Sequence, residues 1–404
     1  MIDLTHPSQT PGLRQARCPK RRSARPSVLR AALGLVLSCL FALPASAQDL
    51  DTSLARAMQG SDVPAMGVLV MIDGKVAGAA VRGVRRNDGI DPVKLDDVWH
   101  IGSDAKAMTA AMIARLVERG VLSWTAPLEK MLPDLTSAMN PQYRSATLIQ
   151  LLSHHSGLPA GLDDGIVAWK ISDVPGLSLA QRRLAYIKGE LADAPAGPTS
   201  DFNYSNIGYI VAAVAAEHAT GVPYEDLMRR EVFLPLGMKH AGFGFTHRGQ
   251  NMGHHLGGPV TPRDELPPFT APAGDIYMPL GDWALFCLDQ MRGAKGFGNL
   301  LAPQTYALMQ SGQAGTYKAL PPGSSYGLGW MVRASMARRK GPVLYHAGSD
   351  DNWLAQVMLF PDTASGVLVT SNAGKDMGAD HAQGAVITSL IDRLSPPTPS
   401  APAN

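Results

Sequence analysis

Strand-forming segments stand at both ends of this chain, and helix-forming segments fill the middle. Near the start, Gly67 to Ile72 and Lys75 to Val84 flank Asp73-Gly74, which reads as a hairpin with a two-residue turn. Near the end, Tyr326 to Val332, Val343 to Ala347, Trp353 to Phe360 and Gly366 to Ser371 read as successive strands. Turns are expected at Arg338-Arg339-Lys340-Gly341 and at Pro361-Asp362. Between the two groups, Ala107 to Arg119, Thr147 to Ser153, Leu179 to Lys188, Ile207 to Thr220 and Gly281 to Met291 read as helices, and Ala379 to Leu394 closes the chain as another. Residues 239–276 are rich in Gly and Pro and are expected to wrap the surface. These segments predict an α+β fold: one antiparallel sheet built from both termini, flanked by the first and last helices, with a mostly helical region inserted.

The helix from Ala107 is apolar on most of its circumference, with Met108, Ala111, Met112 and Val117 on one face and Ala110, Ala114 and Leu116 widening it. Such a helix is buried. It is preceded by Ser103-Asp104-Ala105-Lys106, the only Ser-x-x-Lys in the chain. Residues three apart share a helix face, so the hydroxyl and the amine can meet. The helix N-terminus favours negative charge at the serine, and a lysine kept neutral by burial can take its proton. Taken alone, the pattern also fits an ordinary helix start with a surface lysine.

Two further stretches attract notice. Tyr204-Ser205-Asn206 is the only Tyr-x-Asn and stands directly before the apolar helix from Ile207. A tyrosine beside an ammonium has a lowered pKa and can handle protons, and an asparagine can orient a lysine. The plain alternative is a packed tyrosine and an asparagine capping the helix. Tyr345-His346-Ala347-Gly348-Ser349 ends an expected strand, where a small residue and a glycine would let a substrate lie along the edge. By itself it is a strand end and a turn.

Residues 1–47 carry seven Lys or Arg and one Asp. A basic stretch precedes the apolar run Ala31 to Leu43, and Ala45-Ser46-Ala47 supplies an A-x-A cleavage pattern, so this segment reads as an export signal. Without it, 29 basic and 33 acidic residues remain, a net charge of −4. That balance offers no footprint for nucleic acid or an anionic membrane. Of three cysteines only Cys287 lies beyond residue 47, so neither a disulfide framework nor a cysteine metal cluster is expected. The expected organisation is a signal peptide over 1–47, one catalytic unit over 48–394 and a disordered Pro/Ser/Ala tail over 395–404, in a secreted, periplasmic protein.

Taken together, the three stretches resemble the serine β-lactamase and penicillin-binding-protein superfamily, in its class C-like branch with D,D-carboxypeptidases, D-amino-acid amidases and family VIII esterases. The order Ser-x-x-Lys, Tyr-x-Asn, Lys/His-x-Gly is the same. Flanking stretches are similar too: Ile101-Gly102-Ser103, Leu151 to Leu158, Phe202 to Asn206, Pro235-Leu236-Gly237-Met238, Ala271-Pro272-Ala273-Gly274 and Tyr326-Gly327-Leu328-Gly329-Trp330. The resemblance implies that Ser103 is the nucleophile, Lys106 its proton acceptor and Tyr204 the general base and acid. It implies that Asn206, His346, Gly348 and Ser349 bind substrate, with the backbone N–H groups of Ser103 and Ser349 forming an oxyanion hole. It implies no cofactor and no metal, and a small ester, β-lactam or D-amino-acid peptide as substrate. Two departures stand out. Ala347 replaces a Thr or Ser, and His346 replaces the Lys of most β-lactamases; both disfavour a carboxylate-bearing substrate, and an ester hydrolase is expected.

Three rival readings exist in the same sequence. Gly323-Ser324-Ser325-Tyr326-Gly327 matches the nucleophile elbow G-x-S-x-G but lacks the strand before it and the helix after it. The pairs His154-His155 and His254-His255 lack metal-ligand spacing. A non-catalytic, peptidoglycan-binding descendant of the fold would not need Ser103, Lys106, Tyr204 and Asn206 together.

Overall fold

The computed structural model describes residues 47–162, 166–246, 250–256, 258–336 and 339–394. The expected tail, and all of the expected signal except Ala47, lie outside the described residues. Helix α1 (Ala47–Ala57) leads into strands β1 (Ala65–Ile72) and β2 (Lys75–Gly83). Asp73 and Gly74 join them with φ of 52° and 70°, as a two-residue hairpin turn requires. Strands β3 (Ser324–Tyr326), β4 (Met331–Met336), β5 (Arg339–Ser349), β6 (Leu354–Phe360) and β7 (Ser365–Ser371) follow near the other end. They form one seven-stranded antiparallel sheet in the order β2-β1-β7-β6-β5-β4-β3. The termini thus meet inside the sheet, where Val68 pairs with Val369.

β1 and β7 are buried on both faces, which is why β1 is a nearly continuous apolar run and β7 has Val367, Leu368 and Val369 in succession, without alternation. On one face, Met66, Val68 and Val70 pack with Leu50 and Leu54 of α1 and with Val386 and Leu390 of the closing helix (Ala379–Leu394). On the other, Leu69 and Met71 join the large core of the helical region. Helix α2 (Ala105–Glu118) runs through that core. A 3-10 turn, Gly102–Asp104, precedes it and carries the serine.

α2 packs beside a helix over Asn206–Thr220, whose residues Ile207 to Ala216 are all buried. Each large aliphatic side chain there contributes about 1.5–3 kcal/mol. Ser205 caps this helix by accepting from Gly208 N–H at 3.2 Å, which leaves the Asn206 side chain for another task.

Three local expectations fail. The expected strand Tyr326 to Val332 is two strands, because Gly327 N–H donates to Trp330 O at 2.8 Å and closes a turn. Arg339 to Gly341 lie in β5 rather than in a turn: Arg339 pairs with Met336 and Lys340 with Ser335, and an irregularity before Val343 absorbs the Gly. Residues 239–276 do not simply wrap the surface. Val260, Phe269, Ala271, Ala273, Asp275 and Ile276 are buried, and Ile276–Met278 pairs with Trp99–His100 just before the serine. The Gly and Pro content serves close passage through the core rather than solvation.

Candidate active site

The chain elements converge on Lys106, which is fully buried although lysine is among the residues most averse to burial. Its Nζ lies 3.0 Å from Ser103 Oγ, 2.8 Å from Asn206 Oδ1 and 2.6 Å from Ala273 O. Burial brings its pKa down from 10.5 to about 7, against a smaller opposing pull from Asp104. A neutral amine has two N–H bonds and one lone pair. Asn206 Oδ1 and Ala273 O take the two N–H bonds, so the lone pair is left for the Ser103 hydroxyl proton. Of these partners, Ala273 O escaped the sequence reading: a backbone acceptor leaves no residue-type signal.

Tyr204 sits over the same amine, with Lys106 Nζ 4.9 Å from its ring centroid, and its hydroxyl interacts with Ser103. The expectation that its pKa falls is not met. Burial, the largest influence, raises it well above 10, outweighing the Ser103 hydrogen bond. A half-neutral Lys106 offers little of the ammonium field that the expectation relied on. Tyr204 is therefore a phenol at neutral pH, suited to giving a proton.

His154, passed over in the sequence as packing or capping, backs this tyrosine. Its ring lies 4.3 Å from that of Tyr204 at 35°, and its Nδ1 accepts from Ser205 N–H at 3.0 Å. The accepting Nδ1 places the ring proton on Nε2. His154 also adopts φ 63°, an uncommon conformation for a residue with a side chain.

His346 does not present a cation to the cleft. Its side chain is 1% exposed, its Nε2 meets Tyr326 OH at 2.9 Å, and its Nδ1 lies 3.3 Å from Asp104 Oδ1. Burial holds its pKa at about 3, with Lys106 adding to the effect, and burial pushes that of Asp104 well up. His346 is therefore neutral at pH 7 and burial disfavours charge on Asp104, and the two form a packed polar pair beneath the serine turn. Ala347, one residue on, is exposed at the strand and has only a methyl group to offer.

Gly348 and Ser349 bring β5 against the serine turn. A Cβ on Gly348 would stand 1.9 Å from Ile101 O and 2.6 Å from Ser103 N. One on Gly102 would stand 2.5 Å from Ser349 N. Only glycine at both positions lets the amides of Ser103 and Ser349 come side by side. A cleft of about 230 Å³ opens there, lined by Ser103, Asn206, Gly274, Ser349 and apolar Leu162 and Leu266, among others.

The beta-lactamase family model matches residues 50–390. This chain belongs to the beta-lactamase family. It is 24% identical to Protein flp of Staphylococcus aureus (strain NCTC 8325 / PS 47) over 348 residues, covering 82% of this chain and 64% of that one. It is 30% identical to the putative penicillin-binding protein PbpX of Bacillus subtilis (strain 168) over 241 residues, 58% of this chain and 53% of that one. This chain therefore spans less than two thirds of the length of these curated relatives. Among solved structures, the octameric penicillin-binding protein homologue from Pyrococcus abyssi superposes with a TM-score of 0.70 at 22% identity, over 86% of this chain and 79% of that one. The α+β fold with its antiparallel sheet and inserted helices is thus the fold of that penicillin-binding protein homologue.

The rivals have other places. Ser325 lies on the edge strand β3, with Val332 O 3.5 Å from its Oγ, and no helix follows it. His254 is tied to Asn372 O at 2.7 Å and to Asn87 N–H at 3.1 Å, remote in sequence from the serine turn. Among the described residues, no group of three His, Cys, Asp or Glu is placed to hold a metal ion, and none of their helices is long and apolar enough to cross a membrane.

Proposed function

We propose that this chain is an exported serine hydrolase that cleaves small esters through an acyl-enzyme on Ser103. One observation carries the reading: the buried Lys106 Nζ stands 3.0 Å from Ser103 Oγ with its two N–H bonds already taken. In acylation the Ser103 proton passes to Lys106 and Oγ bonds to the ester carbonyl carbon. The amides of Ser103 and Ser349 receive the oxyanion. Tyr204 gives its proton to the departing alcohol and regains one from the Lys106 ammonium. Water then enters and attacks the acyl carbon as its proton passes to the Lys106–Tyr204 pair; the bond between the acyl carbon and Ser103 Oγ breaks, Lys106 returns that proton to Oγ, and the carboxylic acid leaves. Asn206 holds Lys106 in place throughout.

The preference for esters rests on what faces the cleft. A β-lactam or D-alanyl peptide brings a carboxylate, and neither neutral, buried His346 nor Ala347 offers it a charge or a hydroxyl. A missing charge-assisted hydrogen bond costs about 1.5–3 kcal/mol, roughly ten- to a hundred-fold. Esters make no such demand. Export to the periplasm rests on the basic and apolar run within residues 1–47.

The test is covalent labelling with a fluorophosphonate followed by peptide mass spectrometry. The adduct is expected on the peptide bearing Ser103 and absent in Ser103→Ala, which also loses ester turnover by several powers of ten. An adduct on Ser325, or turnover that survives in Ser103→Ala, refutes the assignment.

A further inference from the structure

The cleft beside Ser103 is charged, and its charge has one sign. Among its described lining residues the ionisable side chains are Asp350 and Asp351, the two residues after Ser349; it contains no Lys, Arg or His. Among the described residues, neither aspartate is in an ion pair, although arginines pair with other carboxylates, several of them on the open surface, such as Arg82 with Asp51 and Arg263 with Asp173. Their position is set by the fold. Asp350 Oδ1 accepts from Asn352 N–H at 3.1 Å and from Trp353 N–H at 3.0 Å, pinning the turn that leaves β5. Asp351 N–H donates to Ser349 Oγ at 3.0 Å, which ties the Asp351 backbone to the residue whose amide faces the oxyanion.

The groups behind them do not cancel this charge. Glu265 and Asp275 lie buried in the field of Asp350, and burial raises the pKa of Glu265 to about 9 and that of Asp275 well above its usual value. Glu265 therefore holds its proton at neutral pH, and burial disfavours the charged form of Asp275. His100, between them, is pushed down to about 4 by burial and is neutral. Asp350 itself is raised only to about 6 and is ionised above that pH. Near pH 8 Asp350 is ionised, and Lys106 beside the cleft is by then largely neutral.

We propose that Asp350 and Asp351 make this cleft a cation subsite, so that the substrates are esters or amides bearing a quaternary or primary ammonium group within reach of the scissile carbonyl. This rests on Ser103 being the nucleophile. Apolar Leu162 and Leu266 take the methylene spacer, and the two carboxylates face the cationic end. Focused in a cleft with low-dielectric walls, two like charges draw cations and repel carboxylates. The same pair then selects against substrates ending in a carboxylate, beyond the mere lack of a partner at His346 and Ala347.

The experiment compares permanently charged esters with uncharged isosteres at pH 8. One arm uses the p-nitrophenyl ester of γ-butyrobetaine, its tert-butyl isostere and the p-nitrophenyl half-ester of adipic acid. The other uses acetylthiocholine and its tert-butyl isostere, which places the cation on the leaving side. In at least one arm kcat/KM for the cationic ester is expected to exceed that of the isostere by about tenfold, with the adipic half-ester slower than either. The preference should shrink as salt rises from about 0.05 to about 0.5 M, because screening acts on exposed charge. Asp350→Asn keeps the Oδ1 acceptor, and Asp351→Asn suits its φ of 71°; each should lower the cation-to-isostere ratio. Turnover in which neither cationic ester exceeds its isostere, or a ratio indifferent to salt and to both variants, overturns the cation subsite while leaving Ser103 intact. Loss of all ester turnover together with loss of fluorophosphonate labelling in the wild type overturns the serine hydrolase reading itself.

Discussion

Replacing Lys106 with methionine should abolish turnover and change how stability depends on pH. In the folded chain the lysine pKa falls from 10.5 to about 7 because the side chain is buried. The unfolded chain therefore binds more protons than the folded one between those values, so stability rises as pH increases through this window. At pH 7 the burden on folding is about 4 kcal/mol, and by pH 9 it has fallen to about 2 kcal/mol, at 1.36 kcal/mol per unit. The wild type should thus gain about 2 kcal/mol from pH 7 to pH 9 through this one group. Lys106→Met lacks that gain. Methionine fills a similar volume without charge, but it orphans Asn206 Oδ1 and Ala273 O, at about 1–3 kcal/mol each. At pH 7 the variant should be within about 2 kcal/mol of the wild type despite losing all its hydrogen bonds there. Urea unfolding of both proteins at pH 7 and pH 9 reads the difference directly. A gap between wild type and variant that is the same at both pH values would mean that Lys106 is an ordinary ammonium in the fold, and the proton-acceptor argument would fail with it.

Tyr204→Phe should keep the fold and the fluorophosphonate label on Ser103 while lowering kcat by about two to four powers of ten, as loss of a general acid does; near wild-type kcat would place that acid elsewhere. Gly348→Ala should cost activity more than any other single methyl in the site, because its Cβ must displace Ile101 O and Ser103 N; a crystal structure or ester assay showing an undisturbed site would contradict the close approach. Ala347→Thr should raise kcat/KM for a chromogenic cephalosporin by up to about tenfold by adding one hydroxyl to an exposed strand position, and no change would indicate that the carboxylate does not reach β5.

Much of the sheet could be read in advance because strand periodicity and turn chemistry are local. Asp73-Gly74 announces its hairpin, and Ala379–Leu394 has the same bounds in the sequence reading and in the structure. Misreadings occur where long-range contacts set the outcome. Gly327 to Trp330 falls in an expected strand yet turns, with Leu328 N–H going to Met309 O at 2.8 Å, and Arg339 to Gly341 has turn-like residues yet lies in β5, where Arg339 and Lys340 pair with β4. In each case the partner, rather than the segment, supplies the decisive hydrogen bonds.

The site divides along the same line. In the sequence, Ser103, Lys106, Tyr204 and Asn206 are singled out by the family resemblance of their ordered motifs, since residue type and spacing are visible in one dimension. What those residues are like chemically was decided only in three dimensions. Burial lowers the Lys106 pKa and raises that of Tyr204, and it keeps His346 neutral beside Asp104, away from the substrate-binding place the family resemblance gave it. Ala273 O and the ring of His154 enter through chain segments far away in sequence. The paired acids at Asp350 and Asp351 are unremarkable in the sequence and acquire meaning only because β5 delivers them to the mouth of the cleft. Desolvation and proximity depend on what surrounds a group, and a linear sequence lists groups without their surroundings.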